Sequence, residues 1–157
     1  MKASRLWTLL AALLATLSGC ELVKAPVVEL EAVRLRGIGL RGATIIAELA
    51  IYNPNRFAIE SDSVTFEFAA RDPRNPRMWS PVTSGTNTQR VRIEKEQRSI
   101  VEIPIEFAYS RLGMPIRSIL ERGTLDYRIR GEVYVRKPLR KGVPFNREGA
   151  VSVGGGR

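Results

Sequence analysis

Val101-Glu102-Ile103-Pro104-Ile105-Glu106-Phe107 is the stretch that decides the fold class. Val101, Ile103, Ile105 and Phe107 point one way, and Glu102, Pro104 and Glu106 point the other. A period of two is the signature of a half-buried strand. Pro104 brings no N–H to a ladder, so this strand is expected at a sheet edge or with its donor side unpaired there. The same rhythm recurs on both sides of it. Ile45, Ala47, Leu49 and Ile51 share one face, Val64, Phe66 and Phe68 another, and Val91 and Ile93 a third. Leu125, Tyr127, Ile129, Val133 and Val135 oppose Asp126, Arg128, Arg130, Glu132 and Arg136. Gly131 interrupts that inward face and is expected to mark a bulge.

One segment breaks the period. Leu112, Ile116, Ile119 and Leu120 recur at helical spacing and Gly123 follows as a stop, which predicts a short helix over about residues 114–121. Some seven strands around one helix, in a chain of 157 residues, predict a single antiparallel β-sandwich of immunoglobulin or fibronectin-III type. It is expected over residues 28–153, with a flexible tail at 154–157.

The first residues read differently. Lys2 and Arg5 precede an apolar run from Leu6 to Leu17, an order that matches an export signal. The run is about 12 residues, short of the roughly 20 that cross a bilayer. Leu17-Ser18-Gly19-Cys20 resembles the lipobox of bacterial lipoproteins, which implies cleavage before Cys20 and a lipid on its thiol. Residues 1–19 are then the signal peptide and 20–27 a lipid-anchored tether. Glu21 is not the aspartate that favours inner-membrane retention in enteric bacteria. An outer-membrane, periplasm-facing location is therefore expected if the source has two membranes.

Cys20 is the only cysteine and histidine is absent. An intrachain disulfide, the usual zinc, copper and haem ligand sets, and Ser-His-Asp or Cys-His nucleophilic sites are all excluded, and no cofactor is expected. Glu102 with Glu106, Glu60 with Asp62, and Glu94 with Glu96 could be paired carboxylates, but each sits in a solvent phase where ordinary surface charge is the better reading.

The chain carries +9, and loss of the leader removes Lys2 and Arg5, leaving about +7. Anionic partners follow. For an exported lipoprotein these are membrane headgroups rather than nucleic acid. Arg34, Arg36, Arg90, Arg92, Arg128, Arg130 and Arg136 take outward strand positions. Arg136, Lys137, Arg140 and Lys141 form the densest basic cluster and are the candidate contact with an anionic membrane. The competing reading is a solvated face that keeps a β-protein soluble. Trp79, beside Met78, is either an exposed contact point or a loop side chain folded back onto the core.

Tyr52-Asn53-Pro54-Asn55-Arg56-Phe57 closes the second strand run. Pro54 fixes φ, asparagine side chains bond nearby backbone, and Asn55 tolerates left-handed φ. An alternating strand, Ala43–Tyr52, leads into Asn53-Pro54-Asn55 and then Phe57. It is followed by Ile100-Val101-Glu102-Ile103-Pro104-Ile105, then Leu125–Gly131, then Pro144-Phe145. In this order of segments the chain resembles the type-2 late-embryogenesis-abundant family, also called the water stress and hypersensitive response domain, over about residues 28–153. The resemblance implies a fibronectin-III-like sandwich and a non-enzymatic role in tolerance of desiccation or cold, often protecting client proteins. The chain departs from the family by inserting a basic, proline-rich loop, Arg71–Pro81, where a tight hairpin is expected. Asn53, Pro54 and Asn55 are either a structural corner or a direct contact with a client. The function expected is a lipid-anchored protective module for stress-labile envelope proteins, with a structural or adaptor lipoprotein of an envelope complex as the alternative.

Overall fold

The alternating segments form antiparallel strands in a computed structural model, which describes residues 23–72, 75–112, 121–137 and 140–152. Among these residues the strands are β1 (Val27–Ile38), β2 (Gly42–Tyr52), β3 (Ile59–Arg71), β4 (Trp79–Asn87), β5 (Val91–Ile93), β6 (Arg98–Ala108), β7 (Thr124–Lys137) and β8 (Lys141–Ser152). One sheet runs β1-β2-β6; the other runs β4-β3-β7-β8, with β5 pairing β3. β4 covers the later part of one β3 edge, from Val64 to Arg71, and β5 its start, from Ile59 to Ser61.

The core lies between the two sheets, filled by the inward phase of each strand. Ile45, Leu49 and Ile51 from β2 meet Val64 and Phe68 from β3 and Ile129, Val133 and Val135 from β7, all fully buried or nearly so. Phe68 stacks at 5.3 Å on Phe107 of the opposite sheet and at 6.5 Å on Tyr127 of its own. Tilted ring pairs of this kind add to the stabilisation from burial. β6 is the edge of its sheet, and Pro104 is accommodated there opposite Ile46.

Gly131 is not a bulge. Both ladders of β7 run unbroken through it, with Phe66 on one side and Phe145 on the other. The residue is glycine because a Cβ would collide with the Thr65 carbonyl and come within 2.8 Å of the Phe145 ring. Gly85 takes the matching place on the other flank of Phe66, where a Cβ would lie 2.9 Å from that ring. One row across the sheet thus alternates glycine and phenylalanine, each ring occupying its neighbour's missing side chain. The bulges fall elsewhere, at Leu30/Ala32 and Leu35/Gly37 in β1, at Phe68/Ala69 against β4, and near Ser61 against β7.

The expected loop Arg71–Pro81 is shorter than the composition suggested. β3 extends through Arg71 and β4 begins at Trp79, so Arg71 pairs with Trp79 and Ala69 with Pro81. Only the residues between them form the turn, closed by Asp72 N–H to the Met78 carbonyl at 3.1 Å and Met78 N–H to the Asn75 carbonyl at 2.8 Å. Pro81 sits on the outer edge of its sheet, where a missing donor is harmless. Of the helix expected over 114–121, only its last residue, Glu121, is among the described residues, and it is helical. A 3-10 turn, Tyr109–Arg111, follows β6.

β1 and β8 meet along one side of the sandwich through Arg147. This arginine occupies an inward position on β8 and reaches across to the other sheet. There it donates from one guanidinium nitrogen to the Leu30 carbonyl and, at 3.1 Å, to the Glu31 carbonyl. The register of β1 shifts at these residues, and a charged donor meets both carbonyls. Burial pushes the neighbouring Tyr127 phenol above its usual pKa, while Arg147, hydrogen-bonded to it, opposes the rise. We expect Arg147→Met, which keeps the stem and removes the donors, to cost about 2 kcal/mol in denaturant unfolding. It should also deprotect the β1 and β8 amides selectively in hydrogen exchange; uniform deprotection would show that the clasp is not local.

Candidate functional site

The Asn53-Pro54-Asn55 segment connects β2 to β3 and so crosses from one sheet to the other. Its backbone cannot pair in either ladder, and buried peptide groups need partners. The two asparagines supply them. Asn53 is fully buried and its Nδ2 lies 2.7 Å from the Phe57 carbonyl, 3.1 Å from that of Glu94 and 3.3 Å from that of Ile93. Its Oδ1 accepts from the Asn55 backbone N–H and from Asn55 Nδ2, both at 3.0 Å. Its own N–H donates to the Gln97 carbonyl at 2.9 Å. One side chain therefore joins the β2–β3 connection to the β5–β6 connection, some 40 residues away in sequence.

Asn55 faces the other way, toward the chain that enters the domain. Its Oδ1 accepts from the Lys24 N–H and its Nδ2 donates to the Lys24 carbonyl, each at 2.8 Å. The carboxamide imitates a strand neighbour for a residue that precedes β1. Pro26 is buried beside this clamp. Residues 24–26, expected as part of the lipid-anchored tether, are thus held against the sandwich. The tolerance of Asn55 for left-handed φ is not used. Among the described residues the non-glycine ones with positive φ are Glu96, at 54°, and Arg140, at 43°; Glu96 donates its N–H to the Asn55 carbonyl at 3.1 Å. Asn55→Ala should leave the core intact, costing about 1–2 kcal/mol. It should also open residues 24–26 to limited proteolysis, whereas an unchanged cleavage pattern would argue against the clamp.

Sequence periodicity could not have shown this hub. Asn53 and Asn55 were visible as turn residues, but their partners, Lys24, Ile93, Glu94 and Gln97, are remote in sequence and apolar patterning is silent on them. Ser61, buried at a β3 irregularity, and Arg147 were missed for the same reason.

The basic cluster at Arg136, Lys137, Arg140 and Lys141 flanks the β7–β8 turn. Arg140 and Lys141 are exposed, and Arg136 lies 3.7 Å from Asp62. Most of the outward arginines have carboxylate neighbours. Arg34 meets Glu48 and Glu102, Arg90 meets Asp62 at 3.7 Å, Arg92 meets Glu94 at 2.7 Å, and Arg130 meets Glu67 at 2.6 Å. Exposed pairs of this type contribute at most about 1 kcal/mol each. Glu60 is likewise an ion-pair partner of Arg92, at 3.8 Å. These carboxylates neutralise surface charge.

Trp79 neither projects freely nor enters the core. It lies on the outer face of its sheet with the Arg71 and Arg128 guanidinium carbons 4.6 and 4.3 Å from its ring. Both arginines pair with Glu148, at 3.4 and 2.6 Å. A Trp79–Arg71–Arg128–Glu148 ladder thus spans four strands, combining cation–π and ionic contacts. Cys20 lies outside the described residues.

Two antiparallel sheets joined by an asparagine-built corner define a β-sandwich module. Residues 48–149 match the late embryogenesis abundant protein family, and the chain belongs to it. No curated protein matches the sequence. Among solved structures, a solution structure from Arabidopsis thaliana has a TM-score of 0.65 at 15% identity, covering 87% of this chain and 89% of that one. A solution structure described as a late embryogenesis abundant protein has a TM-score of 0.60 at 16% identity, covering 97% and 85%. A crystal structure of a protein from Archaeoglobus fulgidus has a TM-score of 0.56 at 14% identity, covering 79% and 97%. At these identities the likeness is one of fold. Family membership places the chain among stress-related proteins.

Proposed function

We propose that this protein is a bacterial lipoprotein of the water stress and hypersensitive response type, tethered by lipid on Cys20, that limits aggregation of envelope proteins during water loss. The observation that carries the reading is the family match over most of the sandwich, joined to the lipobox-like Leu17-Ser18-Gly19-Cys20 just ahead of it. The Asn55 clamp supports the anchor: it fixes the chain at Lys24, four residues from Cys20, so the domain stands close to its attachment point. The rigid, fully hydrogen-bonded corner suits a protector that keeps its fold while labile proteins lose theirs.

Drying or freezing a labile enzyme with the mature protein, and measuring light scattering and recovered activity, tests this. We expect suppression of aggregation near equimolar ratio, and mass spectrometry of the native protein should show acyl groups on Cys20. No protection, with a stoichiometric envelope complex co-purifying instead, would favour an adaptor role.

A further inference from the structure

Every lysine that follows Cys20 lies at one end of the sandwich. The register shows this directly. Val27 pairs with Tyr52 and Tyr52 with Arg98 in one sheet, while Glu60 pairs with Arg92 and Lys137, and Val135 with Lys141, in the other. The entering chain with Lys24, the β2–β3 corner, the β5–β6 turn with Lys95, and the β7–β8 turn flanked by Lys137 and Lys141 therefore share that end. The opposite end, formed by the β1–β2, β3–β4 and β6–β7 connections, contains arginines but no lysine.

A second feature falls on the same half. Tyr52 and Tyr134, 41% and 43% exposed, lie near the ends of β2 and β7 on the outer faces of the two different sheets. Val27 and Ile100, also exposed, neighbour Tyr52 on the outer face of its sheet. Tyrosines ringing a lysine-bearing end have the chemistry of a membrane interface, where an amphipathic ring sits at headgroup depth and ammonium groups meet phosphates. Lysine is a compact, mobile point charge suited to a fluid layer of phosphates, whereas most of the outward arginines of this domain are occupied by carboxylates.

We propose that the Lys24/Lys95/Lys141 end is a docking surface for anionic phospholipid headgroups, with Tyr52 and Tyr134 at its rim, so that the sandwich stands upright on the membrane. The orientation rests on the anchor reading above. From Cys20 to Lys24 an extended chain spans at most about 14 Å, and Asn55 fixes the Lys24 end of that span. The lipid therefore brings this end, and not the opposite one, to the headgroups.

The test uses the mature chain from residue 20 with Cys20→Ser, which retains both sheets and carries no acyl group, and vesicles of phosphatidylglycerol in phosphatidylcholine. Salt-sensitive binding is expected to these vesicles and not to pure phosphatidylcholine. A lysine near an anionic surface strengthens binding about fivefold, so Lys24→Gln, Lys95→Gln and Lys141→Gln together should weaken it on the order of a hundredfold. The charge-matched Arg41→Gln, Arg77→Gln and Arg111→Gln set at the far end should change it less than about threefold by the same rule. Depth is read with brominated lipid, which should quench the indole of Tyr52→Trp in a Trp79→Phe background and leave Trp79 of the parent unquenched. Equal losses from the two triple variants, equal binding to uncharged vesicles, or quenching of Trp79 instead would overturn the proposal. Failure to find acyl groups on native Cys20 would sink the anchor reading while leaving these binding results to stand on their own.

Discussion

Asn53→Ala is expected to lower the melting temperature by roughly 10–15 °C, a loss of about 3–4 kcal/mol in a domain of this size. The magnitude follows from what the side chain holds. Its amide donates to three main-chain carbonyls in two connections, and its oxygen accepts two bonds from Asn55, all at a fully buried position. Alanine removes every partner at once and leaves a pocket too small to hydrate all of them; orphaned buried groups of this kind cost about 1–3 kcal/mol each before relaxation. Asn53→Asp separates the two halves of the role, since it retains acceptors for Asn55 and abolishes the donors. It should be as damaging as alanine or worse, because an ionised carboxylate would then face three carbonyl oxygens. If client protection falls only in proportion to the folded fraction, Asn53 acts as a corner. A loss of protection in a variant that melts normally would instead make it a contact.

The second large effect is expected at Gly131. Introducing one methyl group as Gly131→Ala places a Cβ against the Thr65 carbonyl and the Phe145 ring, within the central β3–β7 pairing. The obstacle is backbone, which cannot rotate aside as a flexible side chain would. We expect about 4 kcal/mol or more of destabilisation, in the range reserved for substitutions that force the main chain apart. Gly37→Ala is the control. Nothing lies within 4 Å of its Cβ position, so the same exchange there should be neutral or stabilise by up to about 1 kcal/mol through the unfolded chain. Similar unfolding midpoints for the two variants would refute the steric account. Phe145→Ala combined with Gly131→Ala should recover only a small part of the loss, since the carbonyl clash remains.

Gly131 also shows where reading by pattern stops. Its place in the inward phase of β7 was legible, and so was its exception to the apolar run. A glycine in a strand signals either a bulge or a close approach, and only the unbroken register on both sides distinguishes them. The loop at Arg71–Pro81 went the same way. Proline, arginine and aspartate read locally as turn chemistry, yet Arg71, Trp79 and Pro81 belong to strands because β3 and β4 carry their ladder beyond the point where apolar alternation fades. Arg71 and Trp79 are retained on the outer face by each other and by Arg128. Of the site, the identity of the two asparagines was legible, and their partners were not.

The sequence by itself determined the class of the fold. Alternation at Val101–Phe107 and its counterparts assigned inward and outward faces because side chains on a strand alternate with a period of two whatever the strand pairs with. That the Pro104 strand lies at an edge or has its donor side unpaired followed from the chemistry of one residue, and the sheet order selects the edge. Which sheet each strand joins, how the sheets are sewn through Arg147 and Asn53, and the gathering of every lysine after Cys20 at one end were decided by tertiary structure alone. These depend on contacts between residues from 40 to more than 100 positions apart. No local pattern encodes such pairs, since they exist only once two sheets have buried a common core.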